Sequence, residues 1–312
     1  MTGVLVMAYG SPRGPEDLEA YYTHIRGGRR PAPELLEELA GRYRAIGGRS
    51  PLPEITERQA RALEARLRAR GRPVRAYVGM KHAPPFIADA VAAMAADGVA
   101  DGVGVVLAPH YSRMSVGTYI GTAEAARRRL PTPFAMRYVE RWGDHPLFVE
   151  ALAANLRAAL DALPDTARQR TPVIFTAHSL PEKILTWGDP YPDELRRTSA
   201  AVAARAGVAT WRFAFQSAGR TSEAWLGPDV REVIAELGAG GVPAIAVCPV
   251  GFVADHLEVL YDLEIEARDH ATRLGIGFVR AASLNDHPLM IDALADVVLH
   301  RAVDPAAGLP SH

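Results

Sequence analysis

Cysteine is almost missing from this sequence: of its 312 residues, only Cys248 is one. A single thiol excludes an intramolecular disulfide and any cluster held wholly by cysteines. It sits inside the apolar run Ile245-Ala246-Val247-Cys248, where a buried, unreactive thiol is expected. An excess of charge of one sign is missing too, since 35 basic and 36 acidic residues leave a formal net charge of -1. That excludes the global basic bias of a nucleic-acid binder, and a charged ligand must be met by local clusters. No run approaches the ~20 apolar residues that cross a bilayer. The N-terminus enters Val4-Leu5-Val6-Met7 without the basic segment of a signal peptide. The expectation is a cytoplasmic chain with no transmembrane segment. No Gly-x-Gly-x-x-Gly follows a strand, and P-loop, Gly-x-Ser-x-Gly and His-Glu-x-x-His motifs are absent, so nucleotide binding has no specific support.

What is present is an ordinary globular composition, 48% apolar and 23% charged, long enough to bury a core without covalent staples. Short apolar runs at 4–8, 74–78, 102–107, 134–138, 173–176, 210–215 and 245–249 read as strands. Between them lie Ala- and Arg-rich helical segments at 57–70, 86–96, 121–130, 147–163 and 194–206. Strand, helix and strand in alternation predict α/β layers with parallel sheets, whose carboxyl edges bind ligands.

The chain also echoes itself. Val4-Leu5-Val6-Met7-Ala8-Tyr9-Gly10-Ser11-Pro12 resembles Val173-Ile174-Phe175-Thr176-Ala177-His178-Ser179-Leu180-Pro181, and Val106-Leu107-Ala108-Pro109 resembles Ala246-Val247-Cys248-Pro249. Two similar α/β halves would explain both echoes, and chance likeness between hydrophobic strands explains them equally. In two halves, Tyr9 and His178 occupy equivalent strand ends. The boundary falls where strand character gives way to the polar Glu140-Arg141-Trp142-Gly143-Asp144-His145-Pro146. The expected divisions are an N-terminal Rossmann-like domain over 1–140, a C-terminal one over 141–280, and a C-terminal helix and tail over 281–312 packing back on the first. Residues 13–50 form a long polar insertion after the first strand, with the character of a lid or binding loop.

Two features could carry chemistry. His178 stands where a strand gives out, and neutral near pH 7 it can bind a metal or accept a proton. Position alone suits at least as well a histidine satisfied by nearby backbone. Glu258, Asp262 and Glu266 recur every four residues and stack along one helical face. Like charges at that spacing repel, and a hard divalent cation would relieve them. A solvated acidic face is the alternative. The acidic segment follows the strand at 245–249, so Glu258 begins near the same sheet edge as His178. Arg26, Arg29, Arg30, Arg42 and Ser50 in the insertion, with Ser115 and Tyr119, are candidate anion contacts. Tyr9 and Trp225 are candidate walls for a flat ligand.

Six segments resemble ferrochelatase and occur in that family's order. They are Leu5 to Pro12, Tyr22-Thr23-His24-Ile25-Arg26, Ala45-Ile46-Gly47-Gly48-Arg49-Ser50-Pro51-Leu52, Ala177-His178-Ser179-Leu180-Pro181, Gly188-Asp189-Pro190-Tyr191-Pro192, and Pro249-Val250-Gly251-Phe252-Val253-Ala254-Asp255-His256-Leu257-Glu258. The likeness runs from the first strand to the last helix and is nearest to the short coproporphyrin III ferrochelatases of Gram-positive bacteria. It implies two Rossmann-like domains of the chelatase type, each a parallel sheet flanked by helices, with a porphyrin cleft between them.

The resemblance also implies that His178 and Glu258 are catalytic, binding iron and moving pyrrole protons. Tyr9 matches an axial ligand of the product iron. Arg26, Arg42, Tyr43, Ser50 and Tyr119 match positions that hold the macrocycle and its propionates. Asp262 and Glu266 match an outer metal site that feeds iron inward or binds magnesium (Mg2+). Lys81, His82 and Trp225 match residues lining the cleft. Three departures stand out: Gly27 follows Arg26 where a second basic residue is expected, 13–30 is polar where an apolar lip is expected, and the cysteines of iron–sulfur relatives are missing. No iron–sulfur cluster is expected.

The implied reaction is insertion of ferrous iron (Fe2+) into coproporphyrin III to give coproheme, the work of a metal chelatase of the lyase class in haem biosynthesis. A monomer is expected, with transient handover to the next enzyme of that pathway and no nucleic-acid partner. The polar lip favours a tetrapropionate porphyrin. Protoporphyrin IX as substrate, another tetrapyrrole chelatase of sirohydrochlorin type, and a haem carrier without catalysis are the competing readings.

Overall fold

A computed structural model describes residues 2–168, 170–219 and 221–303. The chain resolves into two compact units. One comprises the described residues within Met1–Pro109, Ser115–Trp142 and Asn285–His312; the other comprises His110–Met114 and Gly143–Leu284. Residues 304–312 of the expected C-terminal tail lie outside the described residues.

The first unit is built on β1 (Thr2–Ala8), β2 (Val74–Met80), β3 (Asp101–Val106) and β4 (Ala135–Val139), all parallel, in the order β2-β1-β3-β4. Val4, Leu5, Val6 and Met7 of β1 are wholly buried. A strand covered on both faces reads as an unbroken apolar run, which is why this one was plain in the sequence. Helices Leu52–Ala69 and Ile87–Ala96 pack on β2, and Pro288–Val303 packs on β3, β4 and Leu52–Ala69. The polar insertion after β1 is folded into helices Leu18–Ile25 and Pro33–Ala45.

The second unit repeats the plan. Its strands β5 (Val173–His178), β6 (Trp211–Gln216), β7 (Ala244–Cys248) and β8 (Gly277–Arg280) are parallel, in the order β6-β5-β7-β8. The echoed segments therefore hold the same place in both sheets: β1 and β5 lie second, and β3 and β7 third. Ile174, Ala214, Ile245, Val247 and Phe278 of this sheet share a core with Val230, Val233 and Ile234 of helix Val230–Ala239. Cys248 lies at 0% exposure in that sheet, and burial pushes its thiol up to about 12.

Two elements depart from the sequence reading. β8 was not foreseen, since it is four residues long and mostly half-exposed, too short to show a period. The acidic segment Glu258–Ala267 is a π-helix, not an α-helix. Its apolar stripe of Val259, Leu263 and Ala267 is buried, with Leu263 and Ala267 in the core of the second unit. Among the described residues no helix is long and apolar enough to cross a membrane.

Candidate functional site

The ends of β5 and β6 and the start of the π-helix meet at one place in the second unit. His178 closes β5, and its register partner on β6 is Gln216. The strand end is held firmly: Ser179 N–H donates to the Gln216 carbonyl at 2.7 Å, and the buried Tyr191 hydroxyl donates to the His178 carbonyl at 3.0 Å. That last contact gives the segment Gly188-Asp189-Pro190-Tyr191-Pro192 its structural sense. Gly251 N–H donates to Thr176 O at 3.1 Å, which brings the chain leaving β7 back against β5. A β-carbon on Gly251 would stand 2.4 Å from that of Ala177 and 2.9 Å from its α-carbon, so only glycine permits this approach.

That approach delivers Glu258 to His178. Glu258 Oε1 lies 3.4 Å from His178 Nε2, and Oε2 lies 3.6 Å from His256 Nε2. Each imidazole donates its Nδ1–H to a backbone carbonyl, His178 to that of Ser179 and His256 to that of Ala254 at 2.9 Å. Those bonds fix the tautomers, so in the neutral rings both Nε2 lone pairs face the carboxylate. Lone pairs turned on one another from both sides of a carboxylate call for a cation among them, a proton or a metal. Burial opposes the charge on His178, but the adjoining Glu258 carboxylate outweighs it and raises the imidazole to about 9. Burial likewise opposes ionisation of Glu258, and His178 outweighs it, holding the carboxyl below its usual range. The pairing thus favours the charged form of His178, where the sequence suggested a neutral ring near pH 7. Trp225 stands beside it, with ring centroids 6.4 Å apart.

One turn along the π-helix, Asp262 is 8% exposed and accepts a hydrogen bond from Ser217. Glu266 follows, half-buried. Arg231 adds positive charge, and Glu266 and Asp262 help raise its guanidinium, although the hydrogen bond to Asp229 is the larger cause. Among the described residues no group of three or more His, Cys, Asp or Glu is arranged to hold a metal ion by itself.

The first unit holds the other sequence-selected residues. Tyr9 follows β1 at 40% exposure, and the backbone runs alongside that of His82, whose N–H donates to Tyr9 O at 2.9 Å. The two rings lie 4.6 Å apart. His82 also meets His24, with the Nδ1 atoms 3.0 Å apart. Burial first, then the charges of Lys81 and His24, push His82 down to about 4. Lys81 donates to Thr118 Oγ1 at 2.8 Å and stands 5.1 Å over the Tyr119 ring. Arg26 stacks on Tyr22 at 5.8 Å, and Arg42 pairs with Glu38 at 3.4 Å. Tyr43 and Ser50 are buried, Tyr43 against the Ser11 hydroxyl at 3.0 Å and Ser50 accepting from Leu52 N at 3.3 Å. Tyr119 is buried as well. Arg29 and Arg30 engage the Arg26 carbonyl and Glu19 respectively.

The chain matches the ferrochelatase family model over residues 1–302. It belongs to the ferrochelatase family. It is thus an enzyme, a metal chelatase of the lyase class, with ferrous iron as a substrate. A coproporphyrin III ferrochelatase of Geobacillus kaustophilus (strain HTA426) is 49% identical over 302 residues, covering 96% of this chain and 95% of the relative. The coproporphyrin III ferrochelatase of Bacillus mycoides (strain KBAB4) is 45% identical, with 96% and 97% covered. A ferrochelatase of Herpetosiphon aurantiacus is 42% identical, with 95% and 98% covered. Among solved structures, SirB from Bacillus subtilis with Fe3+ superposes with a TM-score of 0.58 over 97% of this chain and 96% of that one. At 14% identity the likeness is one of fold.

Sequence reading missed Gln216 and His256 as neighbours of Glu258 and Ser217 as the partner of Asp262. Two signals were available: His256 stands inside the segment 249–258 that resembles the family, and Gln216-Ser217, like His178-Ser179, is a polar pair closing an apolar strand.

Proposed function

We propose that this chain inserts ferrous iron into coproporphyrin III, with His178 and Glu258 handling the metal and the pyrrole protons. The observation that carries this is the convergence of His178 Nε2 and His256 Nε2 on the two oxygens of Glu258, at 3.4 and 3.6 Å. A free-base porphyrin gives up two N–H protons as it takes up the metal, so the site must both accept protons and present a cation. The Glu258 carboxylate can accept the pyrrole protons one after the other, passing the first along Asp262 and Glu266 to water before it takes the second. The proton held by His178 leaves to water by the same acidic face when iron takes its place on Nε2. The ring nitrogens complete the coordination that the protein alone leaves open.

In this reading Tyr9 becomes the axial ligand of the product iron, and Arg26 and Arg42 meet propionates as charge-assisted partners. Tyr43, Ser50 and Tyr119 are buried and shape the surface on which the macrocycle rests. Asp262 and Glu266 receive the incoming cation. They also suit a resident magnesium, which commonly takes one or two carboxylates and keeps its water. The polar stretch at 13–30 and the names of the relatives favour the tetrapropionate substrate over protoporphyrin IX.

The test is anaerobic mixing of protein, ferrous iron and porphyrin, followed by absorbance. Coproporphyrin III should be metallated faster than protoporphyrin IX under matched detergent-free conditions; the reverse order sinks the substrate assignment. His178→Ala and Glu258→Gln should lower turnover at least ~100-fold, the scale of losing a positioned acid–base group, with porphyrin still bound. Near-normal turnover by either variant sinks the site assignment.

A further inference from the structure

Ser217 has a positive φ of 58°, one of two non-glycine residues with a positive φ among the described residues. A side chain in the left-handed region costs free energy that glycine avoids, so such a residue persists only where its surroundings over-determine it. The constraint comes from both sides. Gln216, 1% exposed, is held by Ser179 N–H on its carbonyl at 2.7 Å, and its own Nε2 donates to the Glu258 carbonyl at 3.0 Å. The chain must therefore turn directly at 217. Glycine would turn there at lower cost, but glycine lacks the hydroxyl. That hydroxyl donates to Asp262 Oδ2, and Gln216 Nε2 approaches its acceptor side at 3.5 Å.

We propose that Ser217 is a positioning residue for iron delivery, kept in a strained backbone so that its hydroxyl fixes the Asp262 carboxylate one turn along the π-helix from Glu258. Together with Gln216 it ties the end of β6 to two successive points on the acidic face. The π-helix does not need this tie in order to fold, since Val259, Leu263 and Ala267 already anchor it. The serine therefore sets where the carboxylate points, and a substitution should alter how iron is taken up while leaving porphyrin binding alone. This rests on reading Asp262 as part of the metal-handling face.

The experiment compares Ser217→Gly, Ser217→Ala, Asp262→Asn and the double variant Ser217→Gly/Asp262→Asn in the full chain. Measured are the thermal midpoint and the dependence of turnover on ferrous iron and on coproporphyrin III. Ser217→Gly relieves strain and removes the hydroxyl. Its midpoint should stay level or rise while half-saturating iron increases about tenfold, as expected on losing a charge-assisted bond. Its KM for porphyrin and its kcat at saturating iron should stay within about twofold. Ser217→Ala should show the same iron defect with a lower midpoint. The double variant should be no worse than Asp262→Asn, because the hydroxyl acts only through that carboxylate. An unchanged iron dependence in Ser217→Gly beside an impaired Asp262→Asn overturns the proposal alone. An unchanged iron dependence in Asp262→Asn overturns the metal-face reading and the proposal with it. Equal loss in kcat and in both substrate dependences marks a general structural role and also overturns it.

Discussion

At the scale of single residues, the position of a proton decides much of what each histidine can do. The two histidines beside Glu258 have their Nδ1–H groups committed to backbone carbonyls, so both present Nε2 to the carboxylate. His110 is a different case. It is 2% exposed, and its Nε2 meets Thr198 Oγ1 at 2.8 Å. The Thr198 hydroxyl gives its only proton to Gly143 O at 2.9 Å, so His110 must donate through Nε2, leaving Nδ1 bare and without a hydrogen-bond partner. Burial, and to a lesser extent Arg197, push His110 down to about 3. The unfolded chain takes up this proton near the ordinary histidine value of ~6.5, and the folded chain does not until about pH 3. Between those values the unfolded state binds more protons, so stability falls as pH falls through that window and is unaffected above it. Urea unfolding at a series of pH values should show His110 adding up to ~1.4 kcal/mol per pH unit to the acid slope. His110→Gln should flatten the slope by about one proton; an unchanged slope would refute the neutral assignment.

At the scale of elements, what could be read in the sequence depended on burial. β1, β5 and β7 are covered on both faces and stood out as continuous apolar runs, whereas β8 at a sheet edge did not. The four-residue spacing of Glu258, Asp262 and Glu266 was visible, but not the π form that carries it, because sequence spacing does not distinguish a wider turn from an α-turn. Nor did the sequence reveal what holds that element in place. Arg280, whose side chain is 9% exposed at the end of β8, pairs with Glu264 at 2.6 Å within the π-helix and with Asp255 at 3.4 Å just before it. Arg268 adds a second cation to Glu264. Arg280→Ala removes a nearly buried cation from two carboxylates, of which Glu264 keeps Arg268, and should cost about 2 kcal/mol, between a surface pair and a broken buried one. Chemical denaturation checks this, and a loss under ~1 kcal/mol, the scale of a surface pair, would place the clamp among ordinary surface ion pairs.

At the scale of the whole molecule, the chain returns to its first unit after completing its second. Helix Pro288–Val303 packs on β3, β4 and Leu52–Ala69. Asp292 pairs with Arg66 and Arg70, the latter at 2.7 Å, and Asp296 pairs with Arg70. Gln59 Nε2 donates to Asn285 O at 2.6 Å. Met290, Ala293, Leu294 and Ala295 are wholly buried. Ending the chain at residue 287 would strip this cover from β3 and β4, and fully burying each large apolar side chain contributes ~1.5–3 kcal/mol. The truncated chain should therefore lose the cooperative unfolding of the first unit, as followed by hydrogen exchange in β3 and β4. Retained protection there would show that the helix is dispensable.

The sequence by itself determined the parallel α/β character, the central strands, the internal echo, and the family motifs that single out His178 and Glu258. Those are local properties: periodicity, strand ends and short runs of side chains survive in a linear reading. Only the tertiary structure decided that His256 completes the pair, that Glu258 favours the charged form of His178, that Tyr43 and Ser50 face inward, and that Gln216 and Ser217 grip the acidic helix. Each of these depends on residues tens of positions apart meeting within a few ångströms, and on burial strengthening the charges that meet there. Neither distance nor burial is written in the order of the residues.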